Sequence, residues 1–585
     1  MIKVKISYNL IMRNKEVSEK LYELASYLEI LGEMKFKINA YIEAARRIEN
    51  LTVPIEELAK EGKLTEIKGI GEGIAKKIVQ YLETGKIDKL EEVKKQIPET
   101  LIELLNVPGV GPKGAYTLYN KLGIKNIEDL KKAAIEGKIR ELDGFGPKKE
   151  ENILKALQHA QKKEVRRINL GIALPIAEYV KESLIKGAPI DKIEICGSIR
   201  RMKETIGDID ILVTSNNSNQ VMDFFTNMQI VKEVINKGDT KSTIITPEGI
   251  QIDVRVVEPI SFGAAVQYFT GSKEHNVKIR ELAIKKGLKV NEYGVFKIDK
   301  DERVCGEKEE EVYNILGLPL IPPEMREDRG EIELALENKL PKIIDIKDIK
   351  GDTHVHTKYS DGENTIYEMA KKSIELGYEY LVIADHAKAL GVASGLSIEK
   401  YKEQKREIDR LNDEIGDKFR IFLGCELNIL SDGSVDFEEK ELSIFDICLA
   451  GIHTGFNQDK KKITERIKKA MNIKKIKIIT HPTGRLLGSR DEYEVDLDEI
   501  FKEAKNNGII LEINANPERL DLNDLNSMHG KELYNLKFSI GTDAHSINGL
   551  SDMRYGVGVA RRGWLTKKDV INTLSLKEFE KFIKS

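Results

Sequence analysis

Residues 196–213 read Cys196-Gly197-Ser198-Ile199-Arg200-Arg201-Met202-Lys203-Glu204-Thr205-Ile206-Gly207-Asp208-Ile209-Asp210-Ile211-Leu212-Val213. The first part ends one strand-like run and opens a Gly-Ser turn; the second is a strand with two acids. Residues i and i+2 of a strand face the same way, so Asp208 and Asp210 present both carboxylates on one side. A third acid, Asp253, lies in the strand-like run IQIDVRVV (250–257) and can pair beside them. Three clustered carboxylates repel one another and need cations to stay ionised together. Oxygen ligands suit Mg2+ or Mn2+, and two such ions can clamp an in-line phosphoryl displacement. Gly197, Ser198 and Arg201 stand where a turn can bind a triphosphate. An isolated Asp-x-Asp is commonly a solvated strand edge; the upstream turn and the downstream acid argue against that here.

Outward from this stretch, the texture changes on both sides. From about Pro189 the chain runs through short β-branched segments, IEICGSI, DIDILVT, STIIT and IQIDVRVV, which predict a half-buried sheet. Before it, from Asn14 to about Ala160, apolar residues recur every three or four positions with Gly-rich breaks, a helical pattern. After it comes LGLPLIPPEMREDRGEIELALEN, a Pro-bearing, charge-rich stretch suited to a junction. From about Ile343 apolar runs alternate with charged helical stretches, which predicts parallel α/β packing and a barrel.

The helical part repeats one turn three times: IKGIGEGIAKKI, VPGVGPKGAYTL and LDGFGPKKEENIL. Each carries two glycines around one apolar residue, Gly69-Ile70-Gly71, Gly109-Val110-Gly111 and Gly144-Phe145-Gly146. Glycine keeps side chains off the backbone amides, and the following helix offers free N–H groups to a phosphate. Lys76, Lys77, Lys113, Lys148 and Lys149 add positive charge. Repetition favours sequence-independent DNA binding over ordinary helix turns.

Nine histidines occur, and six of them sit at or just after an apolar run in the last region, as DTHVH, IADH, AGIH, ITHP and TDAH. In parallel α/β barrels the loops after the strands converge on one face. Their convergence predicts a metal cluster, with Glu426 of LGCELN as a further donor. The set is His354, His356, Asp361, His386, Glu426, His453, His481, Asp543 and His545. Nine donors are too many for one ion and suit two or three; nitrogen and oxygen ligands permit Zn2+, Mn2+ or Fe2+. A metal-lowered water pKa would supply hydroxide for phosphoester hydrolysis. Arg485 and Asn514 lie near enough in sequence to be candidates for holding the phosphate.

Composition sets the frame. At 585 residues the chain is too long for one core, and 41% hydrophobic with 33% charged residues suits folded domains. No run of about 18 apolar residues appears, so no membrane-spanning helix is expected, and no export signal is evident. Four scattered cysteines without a CxxC pair suit a reducing, cytoplasmic setting. Net charge is −3, but residues 1–200 hold 36 Lys and Arg against 30 Asp and Glu, which leans the N-terminal third toward a polyanion.

GSIRRMKETIGDIDILV resembles the signature of family X DNA polymerases, the polymerase beta-like nucleotidyltransferases. The resemblance implies that Asp208, Asp210 and Asp253 are the catalytic metal ligands. It also places Gly197, Ser198 and Arg201 at the triphosphate, and Arg255 beside the third aspartate. Tyr268-Phe269-Thr270-Gly271-Ser272 is similar to the family's YFTGS, whose backbone and ring crowd the sugar 2' position. Asn276 and Arg280 keep the family's spacing for probing the nascent pair and template. NAYIEAARRIENL and the first hairpin are similar to the lyase domain of polymerase beta. Lys77 matches its Schiff-base lysine, and Lys37 and Tyr41 match 5'-phosphate positions; Gly73 departs from the pattern, standing where another DNA-contacting lysine is found. Residues 350–546 look like a PHP (polymerase and histidinol phosphatase) domain, a distorted β/α barrel, with Ala387 as a departure from the more frequent DHS.

The expected architecture is multidomain. It has an all-α helix-hairpin-helix lyase-like domain (1–90), a second helix-hairpin-helix domain (91–165) and an α/β nucleotidyltransferase palm (166–260). A small α+β dNTP-selecting domain (261–330), a linker (331–347) and a distorted (β/α) PHP barrel (348–585) follow. The expected function is a monomeric DNA-repair polymerase filling short gaps from gapped or primer-template DNA and dNTPs. A 3'-5' exonuclease and AP endonuclease activity are assigned to the barrel. Two other readings stand beside it: a polymerase fused to a small-molecule phosphoesterase, and a DNA-end-binding scaffold.

Overall fold

The computed structural model describes residues 8–49, 55–67, 69–107, 110–142, 145–147, 149–150, 153–154, 167–388 and 394–584. The chain divides into two compact units, Met1–Arg166 and Arg167–Ser585. Among the described residues no helix is long and apolar enough to cross a membrane.

The first unit is helical. Its first helix, Tyr8–Ile30, packs on the second, Lys35–Glu49, and Leu21, Leu24, Tyr27, Ala44 and Ile48 are buried within the unit's core. The three Gly-rich turns share one construction. The middle apolar residue donates its N–H three residues back, Ile70 to Ile67, Val110 to Val107 and Phe145 to Leu142. All three of these side chains are buried, so each turn is pinned to the core by one anchor. Gly71 and Gly111 then cap their helices with nearly identical extended backbones, φ −84° in both. Gly69 has φ +95°, a conformation that favours glycine. Gly109, Gly144 and Lys148 lie outside the described residues.

The second unit opens with a five-stranded sheet. Its strands are β1 (Lys192–Ile195), β2 (Asp208–Thr214), β3 (Glu233–Lys237), β4 (Lys241–Ile245) and β5 (Gln251–Val256), in the order β1-β2-β5-β4-β3. Only β2 and β5 run parallel. The strand alternation sends Ile209, Ile211 and Val213 to one face, where they share a core with Ala173, Ala177, Val180 and Leu184 of the helix Leu170–Gly187. Leu212, on the other face, packs with Cys196, Ala265 and Val266 of the helix Phe262–Thr270. The acids share that second face.

Next come the helix Lys273–Lys285 and an antiparallel sheet of β6 (Leu288–Asn291), β7 (Gly294–Lys297) and β8 (Arg303–Cys305). The stretch read as a linker, 331–347, is no free tether. Glu331–Leu336 is a helix; Ile332, Ala335 and Ile343 join the core of this small domain, and buried Glu331 meets His275 Nδ1 at 2.7 Å. Its apolar residues recur at helical spacing, which its prolines and charges obscure in the sequence.

The C-terminal part is built on parallel strands: β9 (Gly351–Val355), β10 (Tyr380–Ile383) and β11 (Arg420–Leu423) in one sheet. The other holds β12 (Glu426–Asn428), β13 (Cys448–Gly451), β14 (Ile476–Ile479), β15 (Ile510–Asn514) and β16 (Phe538–Gly541). Parallel bridges His386–Glu426 and Val355–Ala544 join the two sheets along both margins, closing them into a barrel. The distortion lies at Gly424-Cys425, where β11 breaks off and β12 resumes the line. A helix, Met553–Arg562, lies on β15 and β16.

Candidate active sites

The acidic site is a product of register. Asp210 and Asp253 are direct Cα partners across the parallel strands β2 and β5, and Asp208 stands two residues before Asp210 on the same face. Burial, then the neighbouring Asp208 and Asp253 charges, push the Asp210 carboxyl up to about 6. Asp253 is better supplied: Lys241 Nζ lies 2.8 Å from Oδ2, and Thr243 Oγ1 donates to Oδ1 at 2.7 Å. A carboxylate pair facing each other with one member pushed toward protonation has excess negative charge suited to divalent cations. Gly197 closes over it. Its φ is +70°, a conformation that favours glycine, and a Cβ there would crowd Asp210 Oδ2 at 3.1 Å.

The residues around the trio divide by what holds them. Ser198 sits within the short turn Gly197–Arg200. Arg201 is buried, its Nε donating to Glu327 at 3.0 Å and its Nη1 to the carbonyls of Thr270 and Gly271 at 2.7 and 3.2 Å. Arg255 stacks on Phe269, 4.8 Å from the ring centre, and Phe269 meets Tyr268 edge to face. Asn276 Nδ2 donates to the Tyr268 carbonyl at 2.7 Å and its Oδ1 accepts from Gln267 at 2.8 Å, which fixes the Tyr268–Gly271 backbone. A Cβ on Gly271 would lie 2.4 Å from Asn276 Oδ1. Arg280 is half-buried one turn farther along the Asn276 helix.

In the first unit, Lys77 Nζ lies 5.8 Å from the Tyr41 ring centre and donates to the Gly73 carbonyl at 3.1 Å. Lys37 is exposed and pairs with Glu33 at 3.4 Å. Gly146 accepts the first helical N–H of the third turn, from Glu150, as Gly71 does from Ala75 and Gly111 from Ala115.

The barrel brings its nine donors together at the C-terminal ends of the strands. Three groupings have ligand atoms close enough to share an ion: His356, Asp361, His386 and His545; His354, His356 and Glu426; and His386, Glu426 and His453. Glu426 is the hub. Its Oε1 meets His453 Nε2 at 3.0 Å and His481 Nε2 at 2.9 Å, while Oε2 meets His386 Nδ1 at 2.8 Å. Asp543 Oδ1 approaches His356 Nε2 at 3.1 Å, and Asp361 approaches His545 Nε2 at 3.4 Å. His354 and His356 aim their Nε2 atoms at each other, 3.1 Å apart.

Among the described residues, buried Nδ1 of His356 and Nδ1 of His481 lack hydrogen-bond partners, the expected state of lone pairs aimed at cations. Burial, then His386 and His545, lower His356 to about 3, keeping it in the neutral form that binds metal. Burial opposes charge on His545 as well, but Asp361 and Asp543 raise it to about 9. The donor set therefore fits two or more divalent ions.

Several supporting residues escape the sequence reading. Glu512, fully buried, takes His354 Nδ1 at 2.7 Å and the His481 N–H at 2.8 Å, and also accepts from Thr480 Oγ1. Asn428 Oδ1 takes His453 Nδ1 at 2.8 Å. Asp385 accepts from the Thr357 N–H and hydroxyl at 2.7 and 2.6 Å. Glu512 and Asn428 thereby orient the imidazoles of His354 and His453. A carboxylate inside the apolar run GIILEIN is the one signal that marks Glu512. Gly541 makes room for it: a Cβ there would lie 2.3 Å from Glu512 Oε1. Asn514 Nδ2 reaches Asp543 Oδ2 at 3.1 Å and so adjoins the cluster. Arg485 does not. Its Nη2 donates to Glu204 of the five-stranded domain at 2.7 Å, and the arginine beside Asp543 is Arg519, at 3.4 Å.

Comparisons with known proteins agree with this layout. The chain matches the helix-hairpin-helix domain over residues 12–87 and the SAM-like helix-hairpin-helix tandem over 101–159. It matches the DNA polymerase beta palm over 157–253, the DNA polymerase beta thumb over 265–327 and the PHP domain over 352–516. It is 40% identical over 575 residues to the DNA polymerase/3'-5' exonuclease PolX of Bacillus subtilis, covering 98% of this chain and all of that protein. Rat DNA polymerase lambda is 24% identical over 54% of this chain and 56% of its own length. A probable phosphatase of a Shewanella species is 31% identical over 28% of this chain and 61% of its own length.

Proposed function

The chain belongs to the PolX-type family X DNA polymerases with a PHP domain, and on that premise we propose that it fills short gaps during DNA repair while its barrel trims mispaired 3' ends. It is a DNA polymerase with a second, 3'-5' exonuclease centre. The observation that carries this is the pairing of Asp210 with Asp253 in one domain and the Glu426-centred histidine cluster in another.

In this reading Asp208, Asp210 and Asp253 hold Mg2+ or Mn2+. The ions would acidify the primer 3'-hydroxyl and neutralise the departing pyrophosphate. Gly197, Ser198 and Arg201 bind the triphosphate, and Lys241 pairs with Asp253 at 2.8 Å. Tyr268, Phe269 and Gly271 form the wall against the sugar 2' position, buttressed by Arg255 and Asn276. A 2'-hydroxyl is rejected because the Asn276 bonds leave that backbone no freedom to move aside. Arg280 faces template or nascent pair.

At the barrel, His354, His356, Asp361, His386, Glu426, His453, His481, Asp543 and His545 hold two or three Zn2+, Mn2+ or Fe2+ ions. Bound there, the ions would supply hydroxide at neutral pH. Glu512 and Asn428 fix the imidazole tautomers, and Arg519 stands beside Asp543 to take a phosphate oxygen. AP endonuclease action is the same hydrolysis at an abasic site. Gly69, Gly71, Gly109, Gly111, Gly144 and Gly146 frame the three phosphate-binding turns, which grip DNA without reading bases. Lys37 and Tyr41 hold a 5'-phosphate, and Lys77 is the candidate lyase amine. The working state is a cytoplasmic monomer on gapped DNA.

One assay tests the reading: gapped DNA with a mispaired 3' end and Mn2+, with and without dNTPs, and with a small phosphomonoester as competitor. The expected result is trimming without dNTPs, gap filling with them, and no inhibition by the ester. Ester hydrolysis that DNA does not inhibit, with no trimming, would instead make the barrel a small-molecule phosphatase.

A further inference from the structure

Arg562 ends the helix Met553–Arg562, which lies on barrel strands β15 and β16, yet its side chain serves the polymerase domain. It is buried, 4% exposed. Nη1 donates to the Arg201 backbone carbonyl and to Glu327 Oε1, both at 2.8 Å, and Nη2 pairs with Asp524 at 2.8 Å. Arg201 is the residue that closes the Gly197–Arg200 turn. Its own guanidinium is held by the same Glu327, at 3.0 Å. Arg562 thus grips Arg201 by the backbone directly and by the side chain through a shared carboxylate. Burial opposes charge on Glu327, but Arg562, Arg201 and Lys203 hold it down to about 2.

With Nε and Nη1 occupied, Nη2 is the nitrogen of Arg201 that has no hydrogen bond to protein among the described residues. Arginine's fork is rigid, so fixing two nitrogens fixes the third. Steric fit points the same way. Gly556 lets the helix lie on the barrel, where a Cβ would stand 2.5 Å from Ile540 and 2.7 Å from Ala515. Gly558, two residues on, does the same for Met202, the neighbour of Arg201, at 2.7 Å. Arg329 pairs with the same Asp524 at 3.0 Å, and Arg561 with Glu324 at 2.8 Å, extending the contact.

We propose that Arg562 is a positioning residue for nucleotide addition: it sets, from the barrel side, the turn and the Arg201 guanidinium that receive the dNTP triphosphate. The proposal rests on the polymerase reading above. It gives the barrel's outer helix a part in polymerisation that is independent of the barrel's own metal cluster.

The test uses the full-length chain and the variants Arg562→Ala, Arg562→Lys and Glu327→Gln, with melting temperature measured for each. Steady-state gap filling gives KM for dNTP and kcat; 3' trimming is measured in parallel. Loss of charge-assisted bonds to the turn should raise KM for dNTP about tenfold or more in Arg562→Ala. Trimming should stay within about twofold of wild type, since no metal donor is touched. Arg562→Lys, which keeps the charge but not the fork, should fall between. Glu327→Gln should show the same KM rise and decides the matter if Arg562→Ala does not fold. An unchanged KM in a variant that melts like wild type overturns the proposal. So does an equal loss of both activities in step with melting temperature, which would make Arg562 a fold residue. Failure of the polymerase reading itself is distinct: wild type would then add no nucleotide at all.

Discussion

The acidic trio and the imidazole cluster each bring together donors suited to divalent ions, by opposite means. Asp208, Asp210 and Asp253 need only two parallel strands in register, and strand alternation does the rest. The cluster draws donors from the ends of strands scattered over residues 354–545, and His354 and His453 are aimed by the partners Glu512 and Asn428. The lesson concerns where charge balance comes from. The trio is left with excess negative charge and calls on ions and substrate to correct it. The cluster sets its acids against imidazoles at close range and is largely preorganised.

The comparison is broken most forcefully at Glu426, whose carboxylate touches His386, His453 and His481. Glu426→Ala should strip the barrel of metal, seen by elemental analysis. It should also reduce 3' trimming on the order of 1,000-fold while sparing gap filling. A smaller effect is expected one step out. Glu512→Gln removes a partner rather than a donor and should cost about 10- to 100-fold in trimming or metal affinity. If the cluster tolerates this change without loss, preorganisation is not what distinguishes it.

The smallest effect sharpens the trio's side. Because the folded state raises Asp210 from 3.8 to about 6, it binds that proton more tightly than the unfolded chain does. The destabilisation is absent below about pH 4, grows as pH rises through about 6, and is full above it. Asp210→Asn should therefore stabilise the metal-free protein at pH 7 by up to about 3 kcal/mol, read as a higher melting temperature. The gain should fade near pH 4 and shrink on adding Mg2+, which favours the native aspartate.

What was legible in the sequence follows from this contrast. A period of two reveals the Asp208–Asp210 pair at once, and histidines stationed after apolar runs reveal the barrel cluster. Residues whose roles depend on loops or distant packing are not legible that way. Arg485 stands in THPTGRLLG, where no periodicity fixes a side-chain direction, and it turns to Glu204 instead of the cluster. Nothing local to Arg201 announces that Glu327 and Arg562, far along the chain, hold it. Glu331 and Ile332 are buried although Pro and charge dominate their surroundings in the sequence.

The central claim is that two separate centres act on one DNA end. The direct measurement gives a single gapped, 3'-mispaired duplex to Asp253→Ala and to His356→Ala, each verified as folded, and follows extension and trimming in the same lanes. Reciprocal losses are expected, with Asp253→Ala trimming but not extending and His356→Ala extending but not trimming. Loss of both activities in each folded variant would contradict two independent centres.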